Sequence, residues 1–171
     1  HGAHQDAAYL VQLPDSTWRL LFGNHGLHCL DPAGVELWSQ PLAEAQHVVA
    51  GRFRPDLGPV QFMVIDRGQP CIDGSRAPAT LYLYDLDGNE VWRRRQPEGG
   101  WYAACVELDW SGQGEPREVL VYSRGPGQPA VIYNGQGEIV ADLPIVHSEF
   151  ATPEERQTHC YFTRADVWGD S

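Results

Sequence analysis

The sequence predicts an all-β protein, and three observations support that prediction. Short runs rich in Val, Leu, Tyr and Trp are separated by turn residues, for which 18 Gly and 13 Pro provide much of the material. Helical patterns are nearly absent, and only residues 152–157 (TPEERQ) favour a turn of helix. The third observation is an internal repeat, which also groups the predicted strands into units.

The repeat is clearest in three predicted hairpins. Each has an apolar strand, a turn that contains Gly, an acidic residue and a second apolar strand: LHCLDPAGVELW (27–38), LYLYDLDGNEVW (81–92) and PAVIYNGQGEIV (129–140). Glycine suits such turns because it adopts positive φ without steric cost. Trp38 and Trp92 occupy equivalent positions in the first two hairpins, so we expect both to be packing residues rather than site residues.

Two further strands precede each hairpin, and the second of them ends in a turn: WRLLFGNHG (18–26), VQFMVIDRG (60–68) and REVLVYSRG (117–125). Units of four short antiparallel strands repeated head to tail are the blades of a β-propeller. The predicted blade units are residues 1–45, 46–100 and 101–157, and a further blade opens at 158–171.

A closed propeller has about four to eight blades. The sequence accounts for about three to three and a half, so it predicts an incomplete ring or a fragment of a longer propeller. A twisted β-sandwich of similar strands is the alternative architecture, and the regular spacing of the repeat favours the propeller.

Charge and cysteine content narrow the function classes. The net charge is -11, which argues against a nucleic-acid partner, and no apolar run approaches the length of a membrane span. The four cysteines form no CxxC pair, so we expect mainly buried thiols, with two disulfides as the alternative. No cofactor is identified; the His-rich pieces HGAH (1–4) and HGLH (25–28) leave Zn²⁺ open as a structural ion, and the closing DVWGDS loop leaves Ca²⁺ open.

Equivalent positions of the units carry similar polar residues. The strand-end turns are Asn24-His25-Gly26, Asp66-Arg67-Gly68 and Ser123-Arg124-Gly125. Near the start of the preceding strand stand His4, His47, Tyr102 and, in the opening fourth unit, His159. Because the two strands are antiparallel, the start of the first and the end of the second lie at the same end of a blade. The sequence therefore predicts a ring of His/Tyr and a ring of His/Arg at one mouth of the central channel of the propeller.

A mouth of this kind combines cationic groups with groups that titrate near neutrality. Arg67 or Arg124 would hold a substrate carboxylate through two parallel hydrogen bonds, and His4, His25 or Tyr102 would transfer protons. The alternative is a structural one, in which the arginines are solvated at strand ends and His25 is an ordinary turn residue.

The blade pattern, together with QHVVAGRFRPD (46–56) and ADVWGDS (165–171), resembles the repeats of bacterial polysaccharide lyases built on β-propellers. These include rhamnogalacturonan lyases and the propeller-type ulvan and rhamnose–glucuronate lyases. In this resemblance His4 and His25 match the family's histidine pair, Arg67 its arginine and Tyr102 its tyrosine. The resemblance implies β-elimination at a uronic acid of an acidic polysaccharide, and it favours a secreted or periplasmic location.

β-Elimination requires that the carboxylate is neutralised, that the C5 proton is removed and that the leaving oxygen is protonated. The resemblance assigns the first task to Arg67 and His25, the second to His4 and less readily to His47, and the third to Tyr102, which could also share the role of base. Four further residues are expected to bind substrate: His47, Arg124, Trp101 and His159.

A second interpretation is a non-catalytic propeller that binds carbohydrate or docks a protein, because propellers host many unrelated functions. The expected partners are an acidic polysaccharide and, for completion of the ring, the remaining blades of a longer parent chain or another copy of this chain. Nucleic acid and membrane are not expected as partners.

Overall fold

A computed structural model describes residues 7–23, 25–68, 78–96, 102–123 and 130–144. Within these ranges none of the helices is long and apolar enough to cross a membrane. One short 3-10 turn spans Pro55–Leu57. The strands are β1 (Ala8–Gln12), β2 (Trp18–Gly23), β3 (Leu27–Leu30), β4 (Glu36–Gln40), β5 (Ala45–Gly51), β6 (Gln61–Asp66), β7 (Thr80–Tyr84), β8 (Glu90–Arg95), β9 (Tyr102–Leu108), β10 (Glu118–Ser123), β11 (Ala130–Tyr133) and β12 (Ile139–Leu143).

The strands form three antiparallel sheets of four, in the orders β1-β2-β3-β4, β5-β6-β7-β8 and β12-β11-β10-β9. We call them blade 1, blade 2 and blade 3. The predicted all-β class and the four-stranded antiparallel blades are confirmed. The helical turn predicted at 152–157 and the further blade predicted at 158–171 lie outside the described residues.

Each blade packs face to face on the next, and β6 shows why its sequence is a continuous apolar run. All six residues of β6 are buried, because both faces of this strand are covered. Phe62 and Val64 join the core shared with blade 1, whereas Met63 and Ile65 join the core shared with blade 3. The first strands lie nearest one another, since β5 contacts both β1 and β9, whereas the fourth strands are largely exposed.

The turn between the third and fourth strands is built identically in the three blades. Its first residue accepts two backbone N–H groups through one side-chain oxygen, as Asp85 Oδ1 does from Asp87 (3.0 Å) and Asn89 (2.8 Å). Its fourth residue is a glycine at positive φ, where a side chain is disfavoured. The corresponding pairs are Asp31 with Gly34 (φ 80°), Asp85 with Gly88 (φ 84°) and Asn134 with Gly137 (φ 75°).

These turns also receive the tryptophans of the preceding blade. Trp38 Nε1 of blade 1 donates to the Leu86 carbonyl of blade 2 at 3.0 Å, and Trp92 Nε1 of blade 2 donates to the Gly135 carbonyl of blade 3 at 2.8 Å. Both indoles therefore satisfy their polar atom while covering a seam between blades. The prediction that Trp38 and Trp92 are packing residues is confirmed.

Candidate functional site

The predicted site lies at the end of the blades where β1, β5 and β9 begin. We call this end the upper mouth. Of the residues predicted to form it, His25, His47 and Arg67 are described with their side chains, and Tyr102 is described through its backbone. His4, Trp101, Arg124 and His159 lie outside the described residues, so their predicted convergence on the upper mouth stays a prediction.

His25 is held by the backbone of the turn between β2 and β3. It adopts a φ of 53°, in the left-handed region that few residues with a side chain occupy, and its side chain is exposed. Gly26 follows at φ 140°, and a Cβ at that position would stand 2.7 Å from the Gln40 carbonyl oxygen. His25 and Gly26 thus turn the chain and present the imidazole to solvent.

Arg67 occupies the equivalent turn of blade 2, but its guanidinium is already paired. Nη1 lies 3.2 Å from Glu44 Oε1 and 2.9 Å from Gln46 Oε1, and the Arg67 backbone N–H donates to the Glu44 carbonyl. The two charged side chains are about three-quarters buried or more, at 25% and 19% exposure, so water screens the pair only partly. In this conformation Arg67 ties the turn to the chain segment that links blade 1 to blade 2.

Asp66 is a structural residue of this turn. Its buried carboxylate accepts the backbone N–H groups of Ala43 (3.1 Å), Glu44 (2.9 Å) and Gly68 (3.0 Å). A carboxylate can accept several such bonds, and each removes an unsatisfied donor from the loop. The sequence signal for this role is an acidic residue that ends an otherwise apolar strand.

His47 contacts the neighbouring blade. Its Nδ1 lies 3.4 Å from Cys105 Sγ, and the Cys105 backbone N–H donates to the same nitrogen at 3.4 Å. Burial lowers the pKa of His47, because the imidazolium would lose its hydration there. His47 is thus a half-buried residue in the seam between blades 2 and 3, and its assignment to substrate binding or to the role of base stays a prediction.

The strand register also separates His47 from Tyr102. His47 pairs with Ile65, whereas Tyr102 pairs with Ser123, one position further along the second strand of its blade. Since Ser123 corresponds to Asp66, whose partner is Ala45, Tyr102 is the equivalent of Ala45 and not of His47. The predicted common register is therefore wrong by two residues. The β-bulges lie at equivalent places in the two pairings and do not cause this difference, which is already present in the sequence as 20 residues from His47 to Arg67 and 22 from Tyr102 to Arg124.

The HGLH segment gives no support for a metal site. His28 Nδ1 lies 2.6 Å from Glu36 Oε2, and its ring stacks on Phe22 with centroids 4.9 Å apart. No group of three or more His, Cys, Asp or Glu side chains in the described ranges is arranged to hold a metal ion. Cys29 and Cys105 are buried free thiols, which confirms the expectation for these two cysteines.

A cleft that sequence reasoning missed lies beside Asp66 at the upper mouth. It has a volume of about 510 Å³, and its wall includes Thr80, Tyr82, Arg93 and Arg95. Both arginines are on β8 and are exposed; Arg93 pairs with Glu90 at 3.1 Å, an exposed contact that water weakens. The alternation of the RRR run along β8 places two cations on one face, a signal present in the sequence as positions 93 and 95.

Charged groups at the opposite end are also paired, one pair across the seam between blades 2 and 3 and one within blade 3. Arg52 Nη1 lies 2.5 Å from Glu115 Oε2, and Arg117 Nε lies 3.0 Å from Glu107 Oε1. These residues surround a smaller hollow of about 230 Å³. Since Arg117 is held in a largely buried ion pair whereas Arg93 has only an exposed contact with Glu90, the cleft next to Arg93 and Arg95 is the better candidate for an anionic ligand.

Comparison with known proteins supports the fold. No family model matches the sequence, and no curated protein matches it. BBS1N, solved in complex with ARL6DN, superimposes with a TM-score of 0.55 at 14% identity over 82% of this chain and 40% of that one. The fold is that of β-propeller blades.

A protein of unknown function from Bacteroides caccae is also similar, with a TM-score of 0.48 and 13% identity over 85% of this chain and 47% of that one. This chain thus spans less than half the length of these two structures. Neither description names a polysaccharide lyase, so the predicted lyase activity rests on the sequence resemblance.

Proposed function

We propose that this chain is a non-catalytic β-propeller module that docks a partner protein at the upper mouth. The observation that carries the proposal is the pairing of Arg67 with Glu44 and Gln46. A guanidinium that must neutralise a substrate carboxylate would first have to give up a half-buried ion pair, and removing one partner from such a pair is costly. His47, a second polar group expected at the mouth, contacts Cys105 in the seam between blades 2 and 3.

The cleft beside Arg93 and Arg95 fits an acidic segment of a partner protein. Arginine and tyrosine are the side chains that most often anchor protein interfaces, and Tyr82 stands beside the two arginines in the cleft wall. The chain as a whole is strongly acidic, so an exposed cationic cleft concentrates attraction for an anionic segment at one place. BBS1N, whose fold is similar, is itself found in complex with another protein.

The test is affinity capture with variants that remove cations at opposite ends of the blades. Arg93→Ala combined with Arg95→Ala removes the two cations of the cleft, whereas Arg52→Ala removes one cation at the opposite end. We expect a partner that the unaltered chain and the Arg52→Ala chain both retain, and that the double variant binds at least tenfold more weakly. Partners retained equally by the double variant would contradict docking at this cleft.

A second candidate function is the polysaccharide lyase, and one observation favours it. His25 combines exposure with a left-handed backbone conformation, and strained conformations of this kind are concentrated at functional sites. In this proposal His4 is the base, Tyr102 is the acid, and His25 with Arg67 neutralises the uronate carboxylate. Arg67 would then exchange Glu44 for the substrate.

The two functions differ in turnover. A lyase would release a 4,5-unsaturated sugar that absorbs ultraviolet light when the chain is incubated with uronic-acid polysaccharides, and His25→Ala would lower that rate by orders of magnitude while binding survives. The docking proposal predicts no such absorbance with any of these polymers. Turnover that depends on His25 would therefore replace docking by catalysis as the function of the mouth.

A further inference from the structure

The blade seams follow a directional rule. The fourth strand of one blade supplies a tryptophan N–H, and the third-to-fourth-strand turn of the next blade supplies the carbonyl that accepts it. Two residues after each tryptophan, a second side chain bonds to the glycine carbonyl of the same turn. Gln40 Nε2 does so with Gly88, and Arg94 Nε does so with Gly137, both at 2.8 Å.

The glycine of the turn is a platform for the indole. A Cβ on Gly88 would lie 2.5 Å from Trp38 Cδ2, and a Cβ on Gly137 would lie 3.1 Å from Trp92 Cδ2. Both distances are shorter than a van der Waals contact, so the indole can sit there only because the residue lacks a side chain. Glycine is therefore favoured at this position for two reasons: the backbone has positive φ, and the indole of the neighbouring blade packs where a side chain would otherwise lie.

Blade 1 has the same platform with nothing seated on it among the described residues. Asp31 Oδ1 accepts the N–H groups of Ala33 (2.9 Å) and Val35 (2.8 Å), and Gly34 has a φ of 80°. No described heavy atom lies within 4 Å of a Cβ placed on Gly34, whereas the same test at Gly88 meets an indole. Val35 beside it is 57% exposed.

We propose that the turn from Asp31 to Val35 is a docking site for the fourth strand of another β-blade, one that presents a tryptophan and, two residues later, a glutamine or arginine. The indole N–H donates to the Pro32 carbonyl, which corresponds to that of Leu86, and the second side chain donates to the Gly34 carbonyl. The site extends the seams that blades 1, 2 and 3 already form. It is independent of the function proposed for the upper mouth.

A second copy of this chain does not meet that requirement through its third blade. The positions of blade 3 that correspond to the tryptophan and to its companion are Ala141 and Leu143, neither of which has a side-chain donor. Trp38 and Trp92 are both engaged within their own chain. The occupant is therefore a blade of another polypeptide, since none of the described fourth strands offers a free tryptophan with its companion.

The experiment uses a chain that can donate but not receive. Ala141→Trp and Leu143→Gln give blade 3 the missing donors, and Gly34→Ala in the same chain blocks its own platform. We expect this donor chain to form a 1:1 complex with the unaltered chain in sedimentation velocity, while each chain alone stays monomeric. Gly34→Ala in the receiving chain should weaken the complex at least tenfold.

Gly114→Ala in the receiving chain is the matched control. Gly114 has a φ of 77° and no described atom near its Cβ position, so the substitution costs the same strain away from the platform. A complex that survives Gly34→Ala, or no complex between folded chains, would overturn the proposal. Self-association of the unaltered chain that Gly34→Ala abolishes would identify a second copy as the occupant and overturn the stated donor requirement.

A peptide replaces the donor chain if circular dichroism shows that the latter does not fold. Residues 78–96, cyclised to hold the β7–β8 hairpin, contain Trp92 and Arg94. We expect this peptide to shift the backbone amide resonances of Gly34 and Val35 in the unaltered chain, and a Trp92→Ala peptide to leave them in place. Equal shifts with both peptides, or none with either, would refute the indole platform.

Discussion

The packing of Trp38 on Gly88 predicts that two glycines with the same backbone conformation differ strongly in the free energy of unfolding lost on substitution by alanine. Gly34→Ala and Gly88→Ala both place a side chain in the left-handed region, at φ 80° and 84° respectively, which costs about 1–2 kcal/mol. Only at Gly88 does the new Cβ collide with an indole, at 2.5 Å. Gly34→Ala therefore measures the strain alone and is the matched control.

The additional cost at Gly88 follows from displacing the indole. Overpacking costs about 1–3 kcal/mol, and the lost hydrogen bond from Trp38 Nε1 to the Leu86 carbonyl costs about 1 kcal/mol. Gly88→Ala should thus destabilise the chain by about 3–6 kcal/mol in total. For a domain of this size each kcal/mol lowers the Tm by about 2–4 °C, so the melting temperature should fall by roughly 10 °C.

A double-mutant cycle isolates the contact. Trp38→Ala should cost about 3 kcal/mol by itself, and in that background Gly88→Ala should cost only the strain of about 1–2 kcal/mol, because nothing remains to collide with. Urea unfolding followed by circular dichroism gives the four free energies, provided that the transitions are two-state. Equal costs at Gly34 and Gly88, or additive costs at Gly88 and Trp38, would refute the seating of the indole.

Three further predictions concern single groups. Because burial lowers the pKa of His47, the unfolded chain binds that proton more tightly, so the free energy of unfolding should fall as pH drops below about 6.5. Urea midpoints at pH 7 and pH 5 should show that His47→Gln removes this part of the pH dependence and that His25→Gln, at an exposed position, leaves it. Asp85→Ala should cost about 1–2 kcal/mol in thermal unfolding by leaving two turn N–H groups without an acceptor. Asp85→Asn keeps the oxygen that serves both groups and should cost less, because it loses only the exposed bond from Asn89 Nδ2 to Asp85 Oδ2. Burial raises the thiol pKa values of Cys29, to about 11, and of Cys105, so both should resist alkylation at pH 8 until the chain unfolds. Peptide mapping by mass spectrometry checks this, and modification of either thiol in the folded chain would contradict it.

The blade architecture could be predicted because its signals are local and recur. Turn glycines and alternating apolar residues recur with each unit, so three weak hairpin patterns support one another. The tryptophans follow the same logic: Trp38 and Trp92 stand seven residues after Asp31 and Asp85, the residues that build the turns. Even the burial of β6 on both faces is visible, since its apolar run does not alternate with polar residues.

The composition of the upper mouth could not be predicted to the same accuracy, because it depends on single-residue register and on contacts between distant segments. His47 stands 20 residues before Arg67 and Tyr102 stands 22 before Arg124, so the two residues occupy different positions of their strands although the bulges of both pairings are equivalent. The ion pair of Arg67 with Glu44 joins a strand-end turn to the linker between blades 1 and 2. The sequence repeat does not predict this contact, because the linker has no recognisable counterpart in the other units. Spacing in the sequence specifies a blade end, but it does not specify which side chains face the channel.

The strand-end turns of blades 1 and 2 differ in the groups that they offer to a ligand. Asp66 accepts three backbone N–H groups from its own turn and from the linker, and this anchoring holds the linker where Glu44 meets Arg67. In blade 1 the corresponding histidine is exposed, and no described carboxylate pairs with it. A ligand at the upper mouth would thus meet a histidine at blade 1 that it can bind without breaking an ion pair, and an arginine at blade 2 that it cannot. Chemistry at this mouth, if a substrate is found, should depend more strongly on His25 than on Arg67.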